Sequence, residues 1–242
     1  MLTYIIVSSF LISLGVLLGT FALLLQKERT EKIILFLVSL SAGTLMGGAF
    51  LHLIPEGLGR VSDIAFFSLI LVSFTLFFFL EKILHWRHCH EDDCEIHTFG
   101  HMNLIGNGIH NFIDGLIIAA AFLLDIRLGI TTVIAIAFHA IPQEIGNFGV
   151  LLHAKFQLKK ALVFNFLIAL VMVVGGIAGY FLSFYIEGLT LYLLPLAAGG
   201  FIYISTSDLI PEIRKEKDVK KSLISFAFFL AGIAIMYLAL FL

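Results

Sequence analysis

The sequence predicts an all-α polytopic membrane protein, a single domain over residues 1–242 whose eight transmembrane helices form a 3+2+3 inverted-repeat arrangement. Three observations predict it. Apolar residues make up 60% of the chain and charged residues 13%, with a mean hydropathy of +1.05, whereas a soluble globule of this size must still present a wet exterior. The apolar residues gather in eight runs, each near the roughly 20 residues that a helix needs to cross about 30 Å of hydrocarbon. One long signature occurs twice, SAGTLMGGAFLHLIPE at 41–56 and AAGGFIYISTSDLIPE at 197–212.

Taken in order, span 1, near 3–25, opens MLTYIIVSSFL without a basic leader or a small-residue cleavage site, so it reads as a retained span and not as a signal peptide. Span 2, near 33–54, holds the first copy of the signature. Span 3, near 63–84, leads into a polar tract. Spans 4 and 5, near 103–124 and 128–153, are apolar runs interrupted by ionisable side chains. Span 6 lies near 160–182, span 7, with the second copy of the signature, near 189–210, and span 8 near 221–241. Helices are the expected form throughout, because an open sheet would leave backbone groups unpaired in lipid. Glycines four residues apart in spans 1 (Gly15, Gly19), 2 (Gly43, Gly47) and 6 (Gly175, Gly179) are read as packing positions where backbones approach closely.

Charge orients the spans. Of the 15 Lys and Arg residues, all but Arg60 and Arg127 lie in the breaks after spans 1, 3, 5 and 7, which places those breaks in the cytoplasm and both termini outside. The two copies of the signature then run in opposite directions, and both carry one of only four prolines, as Leu-Ile-Pro-Glu. Oppositely directed copies are expected of an inverted repeat, spans 1 to 3 against 6 to 8, with spans 4 and 5 between the halves; such repeats are a transporter architecture with its site at the repeat interface.

Ionisable side chains within a lipid-spanning helix cost about 2.5–3.5 kcal/mol each on insertion scales and mark pathways or ion sites. In span 4, GIHNFIDG sets His110 and Asp114 one helical turn apart on one face, with Asn111 about 100° further round. Imidazole nitrogen with carboxylate oxygen suits zinc, and also iron or manganese, whereas magnesium and calcium prefer oxygen alone. In span 5, AFHAIPQEIG sets His139 and Gln143 one turn apart. Pro142 between them supplies no N–H, which frees the carbonyl of Phe138 and predicts a kink. Glu144, five positions from His139, faces away from that pair, towards a neighbouring helix. No catalyst is expected. The sequences HNFID and HAIPQ do not supply the HExxH of a zinc protease, and no GxSxG elbow is present. A metal-dependent intramembrane hydrolase, using the same ligands to activate water, is the alternative function, and a non-transporting metal sensor a third.

The cytoplasmic tract HWRHCHEDDCEIHTFGH, residues 85–101, collects five of the nine histidines and both cysteines, Cys89 and Cys94. In a reducing compartment these are thiols, available as ligands. The spacing matches no closed tetrahedral site, and the tract reads as a flexible metal-collecting or sensing loop.

With these residues in view, the chain resembles the ZIP (Zrt/Irt-like) family of divalent metal transporters over essentially its whole length. The resemblance rests on the eight spans, the HN-x-x-D-G of His110 to Gly115, the His-x-x-Pro-x-Glu of His139 to Glu144, the His-Leu-x-Pro that ends span 2, and the His-rich loop between spans 3 and 4. It implies import of zinc, iron or manganese into the cytoplasm and a homodimer in the lipid bilayer, with no nucleic-acid partner; the cell membrane is the expected location. It also implies a primary ion held by His110, Asp114, His139 and Gln143, and a second ion near Asn111 to which Asp114 bridges and which Asn165 of span 6 completes. Glu144 is counted with these as a metal-site residue, and His52, Glu56, Asp208 and Glu212 are placed towards the two mouths. The metal is cargo, and no resident cofactor is implied. Span 5 departs from the common HExPHE by reading HAIPQE; Ala140 and Gln143 remove charge and donor strength from the two-ion centre.

Overall fold

Eight helices are long and apolar enough to span a bilayer in the computed structural model: Leu2–Phe21, Leu35–Gly57, Asp63–Lys82, Leu104–Leu124, Ile126–Gly149, Leu158–Leu182, Leu189–Arg214 and Val219–Phe241. These are the eight expected spans. The structure describes residues 1–24, 30–60, 62–86, 96–153 and 155–241, and no strand occurs among them. The helix of span 4 starts at Ile96, so the backbone of the last part of the His-rich tract is helical and not a loop. Both cysteines and the centre of the tract lie outside the described residues.

The spans sort into two bundles. Spans 1, 4, 5 and 6 pack together, and spans 2, 3, 7 and 8 form the second group; the two meet along span 5 against span 2 and span 4 against span 7. Spans 4 and 5 therefore belong with spans 1 and 6 instead of standing apart between two sequence halves. Apolar side chains cannot decide this grouping in lipid, where tails are as apolar as leucine, so close backbone fit decides it. A Cβ on Gly115 of span 4 would lie 2.0 Å from the Met172 carbonyl oxygen of span 6, and one on Gly175 would lie 2.1 Å from the Phe112 carbonyl oxygen. In the second bundle Gly43 and Gly232 close the crossing of spans 2 and 8 in the same way. Gly15 and Gly19 of span 1 instead receive the side chain of Ile141 from span 5.

Irregular turns occur where the sequence removes a helical hydrogen bond. Each Leu-Ile-Pro-Glu is preceded by a π-helical turn, Gly48–Leu53 and Ile204–Leu209, at the same place in the two signatures. The Ile54 N–H reaches the carbonyl of Ala49, and the Ile210 N–H that of Ser205. A proline ring clashes with the carbonyl four residues before it and supplies no donor, and the wider turn accommodates both. Span 6 breaks at Leu170, where the Val173 N–H turns to the Leu170 carbonyl; the Ala169 carbonyl accepts instead from the Ser13 hydroxyl of span 1 at 2.7 Å. Pro142 acts as expected: the Phe138 carbonyl it frees accepts from the Ser41 hydroxyl of span 2, which ties the two bundles together one residue before His139.

Candidate metal centre

Span 4 presents His110 and Asp114 on consecutive turns, and span 5 brings His139 to them from the same bundle. The three ligand atoms form a nearly equilateral triangle. His110 Nε2 lies 3.3 Å from His139 Nε2 and 3.4 Å from Asp114 Oδ2, and His139 Nε2 lies 3.2 Å from Asp114 Oδ2. Four tetrahedral ligands at zinc distances of about 2.0–2.1 Å stand about 3.3–3.4 Å apart, whereas octahedral ligands at magnesium distances of about 2.0–2.1 Å stand only about 3.0 Å apart. Side-chain exposure is 3% at Asp114 and 1% at His139, with His110 at 14% on the more open side.

The chemistry of the triangle is set by a backbone atom. His139 Nδ1 lies 3.3 Å from the carbonyl oxygen of Ala135, which can only accept, so a hydrogen on Nδ1 has its partner there. In the neutral ring Nε2 is then a lone pair, aimed at a carboxylate oxygen that is also an acceptor. At most His110 has a hydrogen to offer, and a shared cation satisfies all three atoms at once. A donor pinned on the far nitrogen is the usual support of a metal-ligating histidine.

A second polar cluster adjoins the first. Glu144 is buried, and its Oε1 accepts from Asn107 Nδ2 at 2.8 Å and from Asn111 Nδ2 at 2.6 Å, both from span 4. Its other oxygen, Oε2, is buried as well. Gln143 Nε2 donates to Asn107 Oδ1 at 3.3 Å. The expected ligands thus divide. His110, Asp114 and His139 converge, while Asn111 bonds Glu144 directly and Asn107 links Glu144 to Gln143. Asn165 is buried on span 6 with its Oδ1 unbonded among the described residues. Of the outlying residues, His52 bonds the Met236 carbonyl at 2.8 Å, Glu56 pairs with Arg60, Glu212 pairs with Lys215, and Asp208 is exposed. Asn107 is a neighbour of the candidate site that the sequence reading missed. Its signal is the stripe Asn107, Asn111, Asp114, which continues the face of the candidate ligands by one turn.

The sequence model of the family described as ZIP zinc transporter matches residues 1–93 and 87–240. The chain belongs to the ZIP zinc transporter family. Membership with eight spanning helices makes it an integral membrane protein. Among curated proteins of the family it is 30% identical to zinc transporter YKE4 of Saccharomyces cerevisiae, over 88% of this chain and 72% of that protein. It is 30% identical to zinc transporter ZIP13 of Pongo abelii, over 84% of this chain and 65% of that protein. With human zinc transporter ZIP6 it shares 37% identity over 50% of this chain, which is 16% of the ZIP6 length. The chain thus spans less than two thirds of ZIP13 and a small part of ZIP6.

Proposed function

We propose that this ZIP-family chain imports zinc into the cytoplasm through His110, Asp114 and His139, with Gln143 beside them on the cation path and Asn111, Glu144 and Asn165 along it. One observation carries the reading: three candidate ligand atoms at tetrahedral edge lengths, inside a bilayer-spanning bundle, with the Ala135 carbonyl placed to hold a hydrogen on the far nitrogen of His139. The mixed nitrogen and oxygen donors also admit iron and manganese. The inward direction and the outside position of both termini rest on the Lys and Arg bias of the breaks. A homodimer in the cell membrane is part of the same reading, by resemblance.

Alternating access is supported by the division into bundles. The triangle lies in the first bundle, and His139 faces Phe201 of span 7 in the second, ring centres 5.8 Å apart, so sliding of one bundle on the other changes what covers the ion. The matched π turns at Gly48–Leu53 and Ile204–Leu209 support the inverted repeat that such a motion uses.

Zinc uptake into proteoliposomes tests this. The wild-type chain is expected to load zinc, and His110→Ala to lower uptake by more than about tenfold while still purifying as a folded protein. Wild-type vesicles that take up none of zinc, iron or manganese would rule the proposal out and return the hydrolase or sensor readings.

A further inference from the structure

Asn107 contributes no atom to the His110, Asp114, His139 triangle, yet it holds two side chains of span 5 at once. It is 6% exposed; its Nδ2 donates to Glu144 Oε1 at 2.8 Å, and its Oδ1 accepts from Gln143 Nε2 at 3.3 Å. The two ends of a carboxamide are alike in size and opposite in chemistry, since the NH2 only donates and only the oxygen can ligate a cation. Which end points where is settled by a partner that has no choice. Glu144 Oε1 is that partner. It accepts from Asn111 as well as Asn107, so a flipped Asn107 would set oxygen against oxygen.

The constraint passes along the row. With its NH2 on Glu144, Asn107 turns its oxygen to Gln143 and requires the NH2 of Gln143 in return. The oxygen Oε1 of Gln143 is the end left over, and it makes no hydrogen bond among the described residues. Gln143 stands one turn from His139 on the same face of span 5. We infer that Asn107 is a positioning residue that fixes the carboxamide of Gln143 so that its oxygen, and not its NH2, is offered to the transported cation. The inference rests on the proposed place of Gln143 on the cation path. Without Asn107 the amide is free to present its NH2, and the competent fraction of sites falls, which weakens apparent affinity in proportion.

Zinc affinity of the purified full-length chain, measured by competition with a chelator, tests it with four proteins: wild type, Asn107→Ala, Gln143→Ala and the double variant. Each single substitution is expected to weaken zinc binding about three- to tenfold, and the double variant to bind no more weakly than Gln143→Ala alone. In uptake, Asn107→Ala raises KM and keeps the maximal rate within about twofold. If Asn107→Ala does not fold, Asn107→Ser, which cannot reach both partners, takes its place in the same cycle. Multiplying effects in the double variant, or unchanged affinity in Asn107→Ala beside a weakened Gln143→Ala, overturn the inference and leave the transport proposal standing. Unchanged affinity in Gln143→Ala removes Gln143 from the cation path and the inference with it.

Discussion

At the scale of single residues, the proposed role of His139 depends on an alanine. The Ala135 carbonyl claims Nδ1, and only then does Nε2 face Asp114 as a lone pair; no side chain at position 135 advertises this in the sequence. His110, Asp114 and His139 were legible because ionisable groups at one-turn spacing are conspicuous in apolar runs. Asn107 was not, because an amide is cheap enough in a helix bundle to pass for packing. A different residue-scale cost appears at Lys155, whose φ is +61°. It ends span 5 in a left-handed cap, with the Phe156 N–H on the Leu151 carbonyl and the Lys155 N–H on the Leu152 carbonyl. A side chain in that conformation costs about 1–2 kcal/mol, and glycine is the residue such caps favour. Lys155→Gly is therefore expected to stabilise the protein by about 1 kcal/mol, read as a raised thermal midpoint in detergent.

Elements are shaped by where their backbone hydrogen bonds go missing. Proline marks such places in advance, among them Pro55, Pro142 and Pro211, where the helices are irregular or bonded from outside. What replaces the missing bond comes from another helix or from a change of helix type, and neither is readable locally. The pairing of Ser41 with the Phe138 carbonyl illustrates this, since the two lie far apart in sequence. Ser41→Ala leaves that acceptor without its donor, at an expected cost of about 1–3 kcal/mol. In a Pro142→Ala background, where the backbone regains its own N–H, the same change costs much less. A double-mutant cycle on thermal stability checks the coupling. The break at Leu170, where Ser13 bonds the Ala169 carbonyl, carries no proline, so nothing in the sequence of span 6 marks it.

On the scale of the whole molecule, the crossing of spans 4 and 6 positions the metal centre. Gly175→Ala would place a Cβ 2.1 Å from the Phe112 carbonyl oxygen, so span 6 must move off the helix that carries His110 and Asp114. The expected result is a stability loss of about 1–3 kcal/mol with a matching fall in zinc uptake, while Gly146→Ala, which meets nothing within 4 Å, leaves both unchanged. The sequence by itself determined the eight spans and marked out the polar residues of the candidate site, because bilayer thickness and the cost of buried ions act on each segment separately. Only the tertiary structure decided that spans 4 and 5 join spans 1 and 6. It also decided that His110, Asp114 and His139 converge while Gln143 and Glu144 are held by Asn107. Those outcomes depend on backbone fit and hydrogen-bond direction between helices, which no single segment contains.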